Sequence, residues 1–116
     1  MDLAAALVSG LLALLCATSA VRKLSHSSAV VASYERAGVP EHRLNALAAV
    51  LLAAAGGLVA GVAWSPIGVA ASAGLIVYFA LAVVAHLRAD DREHVATPTV
   101  MFVLAVASFV LQLLAT

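Results

Sequence analysis

The sequence predicts an all-α protein: a membrane-embedded four-helix bundle with a short interfacial helix between its first two crossings. Three observations carry this prediction. First, hydrophobic residues make up 65% of the 116 residues, charged residues only 10%, and the mean hydropathy is +1.12. A water-soluble domain of this size has too little interior to hide so much apolar surface. Second, the charges are segregated. There are none from Leu3 to Val21, no Asp, Glu, Lys or Arg from Leu44 to Leu87, and none from Val95 to Thr116. Third, the lengths fit a bilayer. A helix needs about 20 apolar residues to cross a hydrocarbon core of roughly 30 Å. The first and last uncharged runs each suit one crossing, and the middle run suits two.

The elements follow in chain order within a single domain spanning residues 1–116. Helix one is expected at about 3–24. Small residues at Ala17 to Ala20 resemble a signal-peptide cleavage region, but "MDL" lacks a basic start and the basic residues follow the apolar run. The run therefore reads as a retained helix. Cys16 follows the bulky Leu15, a poor context for lipidation. The next segment, "SSAVVASYERAGVP", places Val30, Val31, Tyr34 and Ala37 at helical spacing, with Ser33, Glu35 and Arg36 on the other side. Ser27 or Ser28 can cap its start, and Gly38 with Pro40 can end it. This is the interfacial helix, about 28–37, lying on the membrane or covering the bundle. Helix two is expected at about 44–63. "AWSPIG" breaks the long apolar run, because Pro66 can start a helix and Trp64 prefers the interface. Helices three and four then fall at about 66–87 and 96–115, with Thr97 as an N-cap and Pro98 in the first turn.

Basic residues set the expected orientation. Arg22, Lys23, Arg36 and Arg43 lie between helices one and two, and Arg88 and Arg92 between helices three and four. The termini and the Trp64 turn have none. Loops 22–43 and 88–95 are therefore expected to be cytoplasmic, with both termini outside the cell membrane.

Several functions lose support. Formal net charge is zero, so no basic surface suggests nucleic acid. One Cys and four scattered His show no metal-ligand spacing, and Cys16 cannot form an internal disulfide. Neither paired intramembrane carboxylates nor a nucleophile–base–orienter arrangement is present. His26, His42 and His94 read as solvated loop residues, and Asp90, Asp91 and Glu93 as a solvated turn whose carboxylates can balance Lys23, His86, Arg22 and Arg88.

The reactive groups that remain gather at one end. Lys23 closes helix one and His86 closes helix three, with Arg22 and Arg88 beside them. Asn45 and Thr97 open helices two and four at the same level. Tyr78, Ala82 and His86 follow i, i+4, i+8, so they drift only modestly around helix three, with Tyr78 about 12 Å deeper. Arginines and lysines at such edges commonly anchor topology by snorkelling. His86 is different, because an ionisable group still inside an apolar helix is costly and tends to face the bundle. Cys16, Thr18, Ser19, Ser108 and Gln112 are further polar groups within the spans. Gly57 and Gly61 form a GxxxG pair, with Ala53 one turn earlier and Ala70 and Gly74 repeating the spacing on helix three. Such residues let helices approach closely, either inside the bundle or against a partner or a second copy.

The segments "SAVRKLSHSSAVVASYERAGVP", "LNALAAVLLAAAGGLVAGV" and "AVVAHLRADDR" together resemble the DoxX-like family of small four-helix membrane proteins. Its markers here are Lys23-Leu24, Gly38 to Pro40, Gly57-Leu58, and His86-Leu87-Arg88 with Asp91. The resemblance implies a membrane four-helix bundle but no single activity. Relatives include a subunit of a thiosulfate:quinone oxidoreductase, members of oxidative-stress complexes and receptor-assembly chaperones. Many carry a Glu in helix two, where this chain reads "LAAVLLAAAGG", so the resemblance does not extend to Glu-dependent proton transfer.

The leading expectation is an accessory membrane subunit that binds a lipid-soluble ligand such as a quinone, or a partner membrane protein. Lys23, Tyr78, His86 and Arg88 are its ligand-binding candidates. No cofactor motif is evident, although a quinone would fit. The alternatives are a small redox or isomerase enzyme with His86 as general acid/base, and an assembly protein docking through Gly57 and Gly61.

Overall fold

A computed structural model describes residues 2–25, 28–36, 38, 40–88 and 95–115. The expectations placed on His26, Ser27, Ala37, Asp90, Asp91, Arg92, Glu93 and His94 lie outside the described residues, as do the side chains of Val30, Ser33 and Arg36. Helix α1 spans Leu3–Leu24, α2 Ser28–Arg36, α3 Leu44–Ala60, α4 Ser65–Arg88 and α5 Ala96–Leu114. Helices α1, α3, α4 and α5 are long and apolar enough to cross a membrane.

Local chemistry explains most boundaries. Asp2 caps α1, its carboxylate accepting from the Ala5 amide at 2.9 Å. Arg22 and Lys23 in the last turn complement the negative end of the helix dipole. Helix α2 has the expected two faces, with Val31 and Tyr34 half-buried and Glu35 exposed. Gly38 follows at φ 86°, a left-handed conformation that glycine adopts without penalty. A 3-10 turn, Glu41–Arg43, leads from Pro40 into α3.

Two boundaries differ from expectation. Helix α3 ends at Ala60 rather than about residue 63, because the amides of Val62 and Ala63 bond one residue too tightly for an α-helix, to Val59 and Ala60. Helix α5 begins at Ala96, so Thr97 lies inside the first turn and is not its N-cap. Val95 holds the capping position without a side-chain bond, and Thr99 Oγ1 donates to the Val95 carbonyl at 2.7 Å.

The four long helices form a ring in which α1 packs on α3 and α5, and α4 also packs on α3 and α5. Helices α1 and α4 therefore face each other diagonally. The centre is filled by Leu12 and Cys16 of α1, Leu51 and Leu58 of α3, Leu75 and Phe79 of α4, and Met101 and Ala105 of α5. Only 22–33% of each span is buried. Large apolar side chains such as Leu7, Leu14, Val77, Leu81 and Val103 point outward. In lipid that surface is solvated by its like, and close fit rather than hydrophobic burial must hold the helices together.

Two features supply that fit. A Cβ added to Gly61 would sit 2.6 Å from the Gly68 Cα, and one on Gly57 would sit 2.9 Å from the Ala71 Cβ. The GxxxG pair thus meets α4 of its own chain, and Gly61 is buried there. This replaces the docking face for a partner protein that the spacing allowed, because α4 already covers it. The complementary row on α4 is Gly68 and Ala71, not Ala70 and Gly74. Gly74 is exposed, and a Cβ there would meet nothing within 4 Å. The second feature is a buried polar cluster towards the chain termini. Ser9 and Ser108 share a 2.6 Å bond between α1 and α5. Gln112 Nε2 donates to Ser108 at 2.9 Å and to Ser72 of α4 at 3.4 Å. Gln112 Oε1 has no hydrogen-bond partner and stands where a side chain on Gly68 would project.

Candidate functional site

The opposite end of the bundle, where Lys23 and His86 lie, holds a cavity of about 240 Å³. Helices α1, α4 and α5 wall it and Tyr34 of α2 covers it. Ring order explains why it forms here. Helices α1 and α4 are diagonal, so the gap between them closes only if their side chains meet. At this end the cavity is lined in part by the short side chains of Thr18 and Ser19 on α1 and Ala82 on α4.

Lys23 lies in the last turn of α1, yet only 3% of it is exposed. This is not the snorkelling expected of an edge lysine. Its ammonium donates to Ser19 Oγ at 2.7 Å, one turn below on the same face. It also lies 4.8 Å from the centroid of the Tyr34 ring. That is within cation–π range. Neither partner carries a negative charge. The described carboxylates are Asp2, at the far end, and Glu35 and Glu41, both exposed. None of them pairs with Lys23.

His86 is 8% exposed and lines the same cavity from α4. Its Nδ1 lies 2.9 Å from the Ala82 carbonyl. A carbonyl can only accept, so Nδ1 carries a proton and the ring orientation is held by its own helix. Tyr78 lines the deeper part, with its ring edge-on to Phe79 at 5.0 Å and 80°. Tyr78, Ala82 and His86 all face the cavity, as their spacing implies. Tyr34 lies outside the spanning helices. Burial pushes its phenol above the ordinary range, and the nearby Arg22 charge partly opposes that shift.

The structure therefore brings together Lys23, Tyr78 and His86. It does not bring in Arg88, which is exposed and outside the cavity lining. Two residues beyond His86 it lies roughly 200° further around α4, on the outer side. Arg22, exposed at the rim, supplies the second cation instead. Asn45 is also outside, because α3 packs on the far side of the ring and closes it with Leu44 and Ala48. Thr97, Pro98 and Met101 complete the wall from α5. Sequence reasoning did not rank Tyr34 with the ligand-binding residues. Its signal was present, as the one aromatic residue on the inner face of the interfacial helix. Among the described residues, no three His, Cys, Asp or Glu side chains are grouped to hold a metal.

Fold and site together define a multi-pass helical membrane protein with a small amphipathic cavity at its basic end. The model of the DoxX-like family matches residues 7–108, and the chain belongs to that family. Neither the curated proteins nor the solved structures include a significant match to it.

Proposed function

We propose that this protein is an accessory subunit of the cell membrane that binds a lipid-soluble ligand with a polar head, a quinone being one candidate. The observation that carries this reading is the cavity itself, which combines a buried ammonium, an oriented imidazole and a phenol with walls of Leu15, Phe79 and Met101. Lys23 and His86 supply hydrogen bonds to a carbonyl or head-group oxygen, and Tyr78 and Phe79 face the apolar part. Binding sites for small molecules have this composition, mostly apolar with a few converging polar groups. The distribution of Arg and Lys favours the cytoplasmic side for this end, with both termini outside.

The test is titration of the purified protein with a short-chain quinone, comparing wild type with His86→Ala and Lys23→Ala. The reading expects saturable binding, weakened about tenfold or more in each variant, since a hydrogen bond to a charged group is worth roughly 1.5–3 kcal/mol. No quinone binding by wild type removes that candidate, and equal binding by all three contradicts the reading.

A second reading draws on the Nδ1 bond of His86 to Ala82. An imidazole fixed in one orientation inside a cavity suits general acid/base catalysis, with Lys23 stabilising developing negative charge. This reading expects turnover by the protein alone, abolished by His86→Gln.

A further inference from the structure

We propose that the head group bound in this cavity is anionic. Its carboxylate or phosphate sits on Lys23, and its single chain leaves between α1 and α5 into the bilayer. This deepens the reading above and rests on it.

Charge is the first argument. The Lys23 ammonium is almost wholly buried, and its partners are a hydroxyl and an aromatic face. Burying a cation costs several kcal/mol unless a negative group compensates. No Asp or Glu among the described residues does so. An ammonium carries three donors. Ser19 takes one, leaving two on a group that lines the cavity. Arg22 adds a second positive charge at the rim, with no described carboxylate between them. A neutral carbonyl satisfies a donor but leaves this charge uncompensated, whereas an anion does both.

The shape of the cavity gives the second argument. Its lining is exposed on one side only, at Thr18 and Arg22 of α1 and Thr97 of α5. On α4, Phe79 and His86 are buried and Tyr78 and Ala82 half-buried, and on α1 and α5 the deeper Lys23, Pro98 and Met101 are buried. The mouth therefore opens sideways between α1 and α5. Towards the chain termini the same two helices are bonded through Ser9 and Ser108, so the gap is confined to the basic end. Sites that enclose a whole drug-sized ligand run to roughly 300–1,000 Å³. At about 240 Å³ this cavity holds a head group and the first few methylenes. The rest of a chain must lie outside, and lipid is what lies outside that mouth.

The experiment uses the full chain in a neutral maltoside detergent. Laurate, lauryl phosphate and methyl laurate are titrated separately, with a short-chain quinone as the neutral ring compound, and bound ligand is read by native mass spectrometry. At least one anion is expected to bind about tenfold or more tightly than the ester, the discrimination expected of a charge-assisted bond. Which anion wins identifies the head group. Lys23→Met is expected to erase the preference and Lys23→Arg to retain it. If Lys23→Met does not fold, the wild-type comparison of anion with ester decides alone. Equal binding of the ester and both anions overturns the inference, as does an anion preference that survives in folded Lys23→Met. Quinone binding without preference for the anions sinks this inference and leaves the broader reading standing. No binding of any of the four probes sinks both.

Discussion

The Lys23 ammonium lies 4.8 Å from the centre of the Tyr34 ring, and this contact ties the end of α1 to the helix that follows it. It also roofs the cavity. The positive charge meets the negative face of the ring, and the ring shields the charge from water. The interfacial helix α2 thus becomes part of the site.

Tyr34→Ala should remove both the contact and the roof. A cation–π contact is worth about 0.5–2 kcal/mol, depending on how dry it is. We expect a stability loss of that order in a detergent-solubilised melt and faster hydrogen exchange across 28–36. Tyr34→Phe keeps a ring over Lys23 and should stay close to wild type. Equal loss in the two variants would show that the hydroxyl, not the ring face, matters.

Alkaline pH should loosen the same roof. The phenol is raised by burial above its ordinary value of about 10. The folded state therefore favours neutral Tyr34, and its contribution is fully present below the unfolded value. It is lost as pH rises through the folded value, because ionisation then places a phenolate in a dry site. The protection of residues 28–36, that is, their exchange relative to an unfolded chain at the same pH, should hold through neutral pH and fall above about pH 10 in wild type. A Tyr34→Phe variant should lack this fall, and an identical fall in both would assign it elsewhere.

The glycines of α3 should separate sharply. Gly61→Ala places a methyl 2.6 Å from backbone on α4, which has no side chain to move aside. Forcing extra volume into a tight contact costs about 1–3 kcal/mol. Gly56→Ala and Gly74→Ala point into open space and should melt at or slightly above wild type. Comparable losses at Gly56 and Gly61 would contradict the observed helix contact.

Much of this fold was legible because lipid imposes a simple rule. A spanning helix must satisfy its backbone internally and be about 20 apolar residues long. Charge-free runs, with the break at Pro66, therefore locate α1, α3, α4 and α5 to within three residues. The i, i+4, i+8 spacing likewise placed Tyr78 and His86 on one face. What could not be read was rotation about each helix axis. With apolar residues all round, nothing in α4 distinguishes the face of Gly68 from that of Gly74. For the same reason Arg88 and Asn45 looked level with Lys23 but point away from it. Tyr34 was missed as a site residue because its position depends on how a loop folds back. Nothing in the sequence marks Ser9 or Ser72 for a contact between helices, because isolated serines in a span commonly bond their own backbone.

The most direct measurement of the central claim is photolabelling with a short-chain azidoquinone, followed by peptide mapping. The account predicts saturable adducts on the α1 segment 15–23 and the α4 segment 78–86, suppressed by excess unlabelled quinone and by Lys23→Ala. Adducts confined to outward residues such as Leu81 and Val103, or labelling that never saturates, would contradict it.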